Sequence, residues 1–240
     1  MIRGFYTALS GIITAMNRQA IVADNMANVN TPGFKGSRST QSDFGMTLAS
    51  SLGGTIGPLR TATLPVGLTL DRLQGPLETT TLPTDLAIEG DGLFAIRTAS
   101  GDVGYTRAGD FVLDVTGTLT TQQGEPVLDI NGRPIVVAGG ASQLSVDSSG
   151  NVAGTGQRLA LVAFPAAGIS RRGDNLYAIS GPTSPATGRV RQGYLERSNV
   201  DLATSMTELI TLQKSFALSS RALSIQEQTL GEANDVGRVR

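Results

Sequence analysis

A chain with neither histidine nor cysteine has lost most of the side chains that make and break bonds, and carboxylates are what remain. The tightest set is Asp85, Glu89 and Asp91. A carboxylate pair can hydrolyse a glycosidic bond when its members stand about 5–9.5 Å apart, one giving a proton and the other attacking or activating water. Asp85 and Glu89 differ by four in what reads as a strand, which puts them on one face about 13 Å apart. That is too wide, so edge and turn positions are expected for all three. A second acidic pattern, Asp-x-x-Gly, occurs at Asp114–Gly117 and again at Asp147–Gly150. Such oxygens could bind calcium, but Asp bonding its own backbone before a positive-φ Gly makes a plain turn, and that is the expectation. Without Cys there is no disulfide, thiolate nucleophile or Cys-based zinc site. Without His the commonest acid–base group near neutrality is gone. No catalytic, cofactor-binding or metal-ligating residue is expected, and no cofactor. Arg171-Arg172 could meet an acidic partner, though a solvated turn beside Gly173 is the simpler reading.

The bulk composition narrows the partners. Of 240 residues, 20 are acidic and 19 basic, so the summed field favours neither nucleic acid nor an anionic membrane. No stretch approaches the roughly 20 apolar residues of a membrane span. The first 30 residues are amphipathic and broken by Tyr6, Thr7 and Ser10, unlike a secretory signal peptide. Thirty glycines, one residue in eight, require many turns.

The elements that must position these residues fall into three kinds. At the start, Ile2, Phe5, Leu9, Ile12, Met16, Ala23 and Met26 step by three and four, interrupted only by Gln19. Near the end, Leu202, Leu209, Phe216, Leu223 and Leu230 recur every seven residues. A 3.5-residue rhythm keeps a narrow seam towards a helical partner. The spacing predicts one helix from about residue 2 to 28 and another from about 200, capped by Ser198 or Asn199. Between them, short apolar runs alternate with turn residues at hairpin spacing, with 159–164 expected as a central strand and Asn131-Gly132 as a type I′ turn. The expected fold class is α+β: long N- and C-terminal helices pairing as a coiled coil, with an inserted all-β middle domain. Its segments are 1–34 (helix and turn), 35–83 (extended arm), 84–180 (β-rich domain), 181–199 (linker) and 200–240 (second helix).

Three blocks carry a family resemblance. The first, Ala23-Asp24-Asn25-Met26-Ala27-Asn28-Val29-Asn30-Thr31-Pro32-Gly33-Phe34-Lys35, resembles the signature of bacterial flagellar rod and hook proteins, with Asp24 and Met26 as mild departures. The second is Asp85-Leu86-Ala87-Ile88-Glu89-Gly90-Asp91-Gly92-Leu93-Phe94 followed by Tyr105-Thr106-Arg107-Ala108-Gly109-Asp110-Phe111, and the third is residues 192–201. Asn25, Asn28, Asn30, Thr31, Pro32, Gly33 and Phe34 form the family motif; the asparagines read best as helix-end and turn chemistry, with subunit contacts as the alternative.

The resemblance implies a non-enzymatic structural subunit, a middle-sized rod protein of the proximal or distal rod, polymerising through its terminal helices into a helical tube that transmits torque. It implies an arm bridging neighbouring subunits, and as partners the same chain, other rod and hook axial proteins, the flagellar export apparatus and basal-body ring proteins. Localisation at the basal body, by flagellar export without a cleavable signal peptide, follows from the same likeness. Rival readings are a hook-type axial protein, a carboxylate-dependent cell-wall hydrolase and a trimeric coiled-coil adhesin.

Overall fold

The computed structural model describes residues 2–43, 63–165, 168–173 and 175–238. The chain forms two compact units that alternate along the sequence. Unit 1 comprises Met1–Ala27, Gly36–Asp71 and Asp201–Arg240, and unit 2 comprises Asn28–Lys35 and Arg72–Val200.

Unit 1 holds two helices, α1 (Ile2–Ala27) and α2 (Leu202–Arg238), and a ribbon of β1 (Ser37–Asp43) with β2 (Thr63–Leu70). The cap of α2 is Asp201, not Ser198 or Asn199. Its Oδ1 accepts the Thr204 N–H at 2.6 Å, and that bond holds the carboxyl below its ordinary range. Ser198 instead accepts the Val200 N–H one turn earlier. The helices pack on one another in opposite directions. Gly11 lies against Ser219, where an added Cβ would sit 3.5 Å from the hydroxyl, and Arg18 pairs with Glu208 at 2.8 Å. At the end of α1 the Asn25 amide donates to Ser37 O and accepts Ser37 N–H, both at 2.8 Å, pinning the first residue of the ribbon. The ribbon pairs Ser37 with Leu70 and Asp43 with Thr63, shifting register between Thr40 and Gln41. Residues 44–62 of the expected arm lie outside the described residues.

These features correct the expected coiled coil with a clean β insertion. Among the described residues the side chains buried on the helices are Ala15, Val22 and Leu212, whereas the heptad residues Leu9, Met16 and Leu202 are 37%, 55% and 41% exposed. The covered stripe of α1 is displaced by about one residue, or about 100°, from the one that large apolar side chains mark out. Gly11 and Ala15 are small, so α2 approaches there and the bulky row is left outside. β-structure is not confined to an insertion either, because the ribbon belongs with the helices while residues 28–35 belong with unit 2.

Unit 2 is built on a five-stranded antiparallel sheet ordered β10-β11-β6-β5-β9. These strands are β5 (Leu93–Arg97), β6 (Val103–Thr106), β9 (Leu161–Val162), β10 (Ile169–Gly173) and β11 (Leu176–Ile179). The segment expected at the sheet centre therefore shrinks to an edge strand, covered on its outer side by the Val162–Pro185 bridge. Leu93, Phe94, Ala95 and Ile96 are all buried, so β5 is covered on both faces instead of alternating. Phe94 meets Phe111 edge to face at 5.1 Å within a core that includes Leu86, Ile88, Val127, Ile135 and Leu159. Smaller pairings add β7 (Val112–Leu113) to β8 (Leu119–Thr120), β4 (Leu86–Glu89) to β12 (Arg189–Gln192), and β3 (Leu77–Thr79) to β13 (Tyr194–Glu196). The last two pairings recruit residues 189–196, expected as linker, into unit 2. Sequence periodicity misses such strands because each is too short to show a period.

Two tight turns share one design. In both Asp129–Arg133 and Asp147–Asn151 the aspartate Oδ1 accepts two backbone N–H groups at 2.8–2.9 Å, and the fourth residue is a glycine at φ 73° or 83°. Asn131 does not have positive φ, so the type I′ expectation gives way to an aspartate-led turn. For Asp147 the Asn151 side chain and amide are the main cause of a carboxyl held below its ordinary range.

Candidate functional site

The structure disperses the acidic set that the sequence singled out. Asp85 is buried, with its carbonyl accepting Gly193 N–H at 2.8 Å. Glu89 pairs with Arg191 at 2.8 Å on the surface, and Asp91 accepts the Phe164 amide. Asp85 instead bridges Asp110, whose carboxyl is pushed up by burial, with the Asp85 charge adding to the effect. The groove lined by Ser148, Ser149, Arg158, Thr187 and Arg189 contains no carboxylate. Nothing here sets two acids across a cleft. Arg171-Arg172 also finds protein partners: Arg171 lies 4.4 Å over the Phe34 ring and donates to Lys35 O, and Arg172 meets Asp102.

What the fold does assemble is a buried ion cluster, made from one residue of each motif block. Lys35 closes the first block, Arg107 lies in the second and Glu196 in the third; all three are 2% exposed or less. Lys35 Nζ donates to Glu196 Oε1 at 2.6 Å and to Leu73 O at 2.7 Å. Arg107 Nε donates to Glu196 Oε2 at 2.6 Å. The rest of its guanidinium holds the β4–β5 turn, donating to the carbonyls of Ile88, Gly90 and Gly92. Gly75 N–H adds a third donor to the carboxylate at 2.9 Å. Taking three charges out of water is costly, so such a cluster adds little net stability over an apolar core of the same volume. Removing Glu196 leaves both cations buried without a counter-charge, at about 3–5 kcal/mol.

The motif before Lys35 is shaped to reach this cluster. Thr31 N–H returns to Asn28 O, and its hydroxyl lies 3.2 Å from Asn28 Oδ1, closing the turn after α1. Pro32 O accepts from Asn175 Nδ2 at 2.8 Å, and Asn30 Oδ1 accepts from Arg197. Gly33 takes φ 65° and donates to Glu196 O at 2.7 Å; a Cβ there would lie 2.3 Å from the Arg107 carbonyl carbon. Phe34 is buried. The motif thus acts as a docking segment within unit 2, with Asn25 serving unit 1. Lys35, Arg107 and Glu196 stand inside the three blocks, and their positions along the chain assign them no shared site. No local signal separates these three from the other charged residues of the blocks, such as Asp24, Glu89, Asp110 and Arg197.

The second candidate surface lies on the helices of unit 1. On α1, Leu9, Ile13 and Met16 are exposed, Ile12 and Met26 are half-buried, and Ala23 faces solvent. On α2, Leu209, Phe216 and Leu223 are half-buried, while Leu202, Met206, Ile210, Leu218 and Ile225 are exposed. The side chains of Ile2, Phe5 and Leu230 are outside the described set. Each helix therefore keeps a row of large apolar side chains in water, far more than scattered surface residues require. Among the described residues no helix is long and apolar enough to cross a membrane.

Comparison with known proteins covers the chain almost end to end. Three family profiles match: the flagella basal body rod protein profile over residues 5–35, the flagellar hook protein FlgE/F/G D1 domain over 87–154, and the flagellar basal body rod FlgEFG protein C-terminal profile over 191–236. The chain is 36% identical over 265 residues to the flagellar basal-body rod protein FlgG of Bacillus subtilis, covering 99% of this chain and 100% of the relative. It is 33% identical to FlgG of Borreliella burgdorferi, covering 99% and 100%. With FlgF of Escherichia coli it shares 31% identity, covering 98% of each chain.

Proposed function

The chain belongs to the flagellar basal-body rod protein family, and from that premise we propose how it serves the rod: as a repeated subunit that joins its neighbours through the apolar rows of α1 and α2. It is a structural component of the basal body; the relatives it matches along their whole length are rod proteins, which favours the rod over the hook. The observation that carries the mechanism is the surface left on the helices. Met16, Ile210 and Leu218 are 55%, 52% and 69% exposed in the single chain. Covering what remains exposed of each stabilises an assembly by about 1–2 kcal/mol before ordering costs are subtracted. Contacts that repeat head to tail give an open helical array, as a rod requires. The same array can carry torque, because each subunit is held by several others.

Partners under this reading are further copies, other axial proteins of rod and hook, the export apparatus and the ring proteins around the rod. Delivery is by flagellar export. A structural role without catalysis is part of this reading: Glu89 and Asp91 are held by Arg191 and the Phe164 amide, and purified protein should release no soluble fragments from peptidoglycan. The test is immunogold microscopy of basal bodies from cells carrying a tagged functional copy, with a deletion strain beside it. Label along the rod and truncated basal bodies in the deletion are expected. Complete, unlabelled rods and normal swimming in the deletion strain would remove this reading.

A further inference from the structure

Four chain crossings join the two units, after Ala27, Lys35, Asp71 and Val200. On the unit 2 side, every crossing is tied within a few residues to Glu196 or its immediate partners. The segment from Asn28 is held by Gly33 N–H on Glu196 O, at 2.7 Å. The departure at Lys35 is held by its ammonium on the carboxylate at 2.6 Å. The return at Arg72 is held by Gly75 N–H on the same oxygen at 2.9 Å, and by Leu73 O, which accepts from both Lys35 and Asn199. The last departure follows Glu196 directly, and Asn199 N–H donates to Phe34 O at 3.3 Å. Arg107 then anchors the carboxylate to the turn between β4 and β5 at the edge of the apolar core.

We propose that Glu196 is a positioning residue: its buried carboxylate holds Lys35 and Gly75 and its backbone carbonyl holds Gly33, which fixes where the crossing segments around it leave unit 2, so that load carried along them reaches the β-core through an ion cluster. The mechanical part rests on the rod reading; the clasp itself does not. Hydrogen bonds to a charged group are shorter and stiffer than neutral ones, and the low surrounding dielectric strengthens them. A joint made this way resists sliding where apolar contacts, which are non-directional, would permit it. The charges also make closure all-or-none, because a half-formed cluster leaves buried ions without compensation.

Hydrogen exchange on purified full-length protein separates this from a general core role. In Glu196→Gln the amides of Gly33, Gly75 and Asn199 should exchange at least about tenfold faster than in the parent, while Ala95 and Leu128 in the core keep their protection. If the variant does not fold, Lys35→Met supplies the test: it leaves a balanced Arg107–Glu196 pair and should loosen Gly33 and Asn199 selectively. Unchanged exchange at those amides, or equal loosening of core and crossings, would overturn the proposal. No rod is needed for this measurement, so failure of the clasp and failure of the rod reading give different results. In cells, Glu196→Gln should lower swimming speed in viscous medium more than in dilute medium. Equal loss in both would remove the load-bearing role and leave the clasp.

Discussion

Single residues set the local terms of this molecule. Gly33 occupies a left-handed conformation and sits where any side chain would strike the backbone of Arg107. Gly33→Ala should cost at least about 1–2 kcal/mol from handedness alone, with the clash in addition, and lower the melting temperature of unit 2 by about 5 °C or more. An unchanged melt would show that residues 28–35 do not need their docked geometry. Asp110 acts in the opposite sense to Asp147 and Asp201. Burial raises its folded value, so the folded state holds its proton longer than the unfolded state. Stability is then lost as pH rises from the ordinary carboxylate range through the raised value, and the cost is complete above it. Asp110→Asn should accordingly raise the melting temperature at pH 7, with the gain vanishing below the ordinary carboxylate range. A gain of equal size at every pH would mean that packing, not charge, limits this site.

Elements show which faces are spent and which remain. α1 uses its small residues, Gly11 and Ala15, against α2, and so keeps Leu9, Ile13 and Met16 in water. α2 half-buries Leu209, Phe216 and Leu223 and leaves Met206, Ile210, Leu218 and Ile225 outside. Leu218, 69% exposed, separates folding from assembly. Leu218→Asp should change the stability of the isolated chain by no more than about 0.5 kcal/mol. In a rod that buries this face, the carboxylate would cost several kcal/mol per subunit, enough to prevent incorporation. Thermal melts and basal-body composition, measured side by side, decide it; variant subunits in working rods would place Leu218 in solvent.

At the scale of the whole molecule, the two units interleave instead of following one another. Residues 28–35 contribute Phe34 and Lys35 to the interior of unit 2 although unit 1 supplies the sequence on either side. Removing residues 1–27 should therefore leave unit 2 with its parental melt while abolishing rod formation. Removing residues 1–35 should destabilise unit 2 by about 3–5 kcal/mol, the cost of losing a buried Phe, before the Lys35 contacts are counted. Equal melts for the two truncations would show that unit 2 closes without the motif.

The sequence by itself determined the family, the helical ends, the β-rich middle and the poverty of reactive side chains. Each of these depends on short-range pattern or composition: a 3.5-residue period, turn residues between apolar runs, three motif blocks, no His and no Cys. It did not determine which stripe of α1 is covered, because periodicity counts large apolar residues while close helix approach selects small ones. Nor could it pair β3 with β13 or β4 with β12, strands separated by about a hundred residues and too short to show a period. Tertiary structure alone brought Lys35, Arg107 and Glu196 together. A buried carboxylate needs its cations within hydrogen-bond reach, and no pattern along the chain encodes a meeting of residues 161 positions apart.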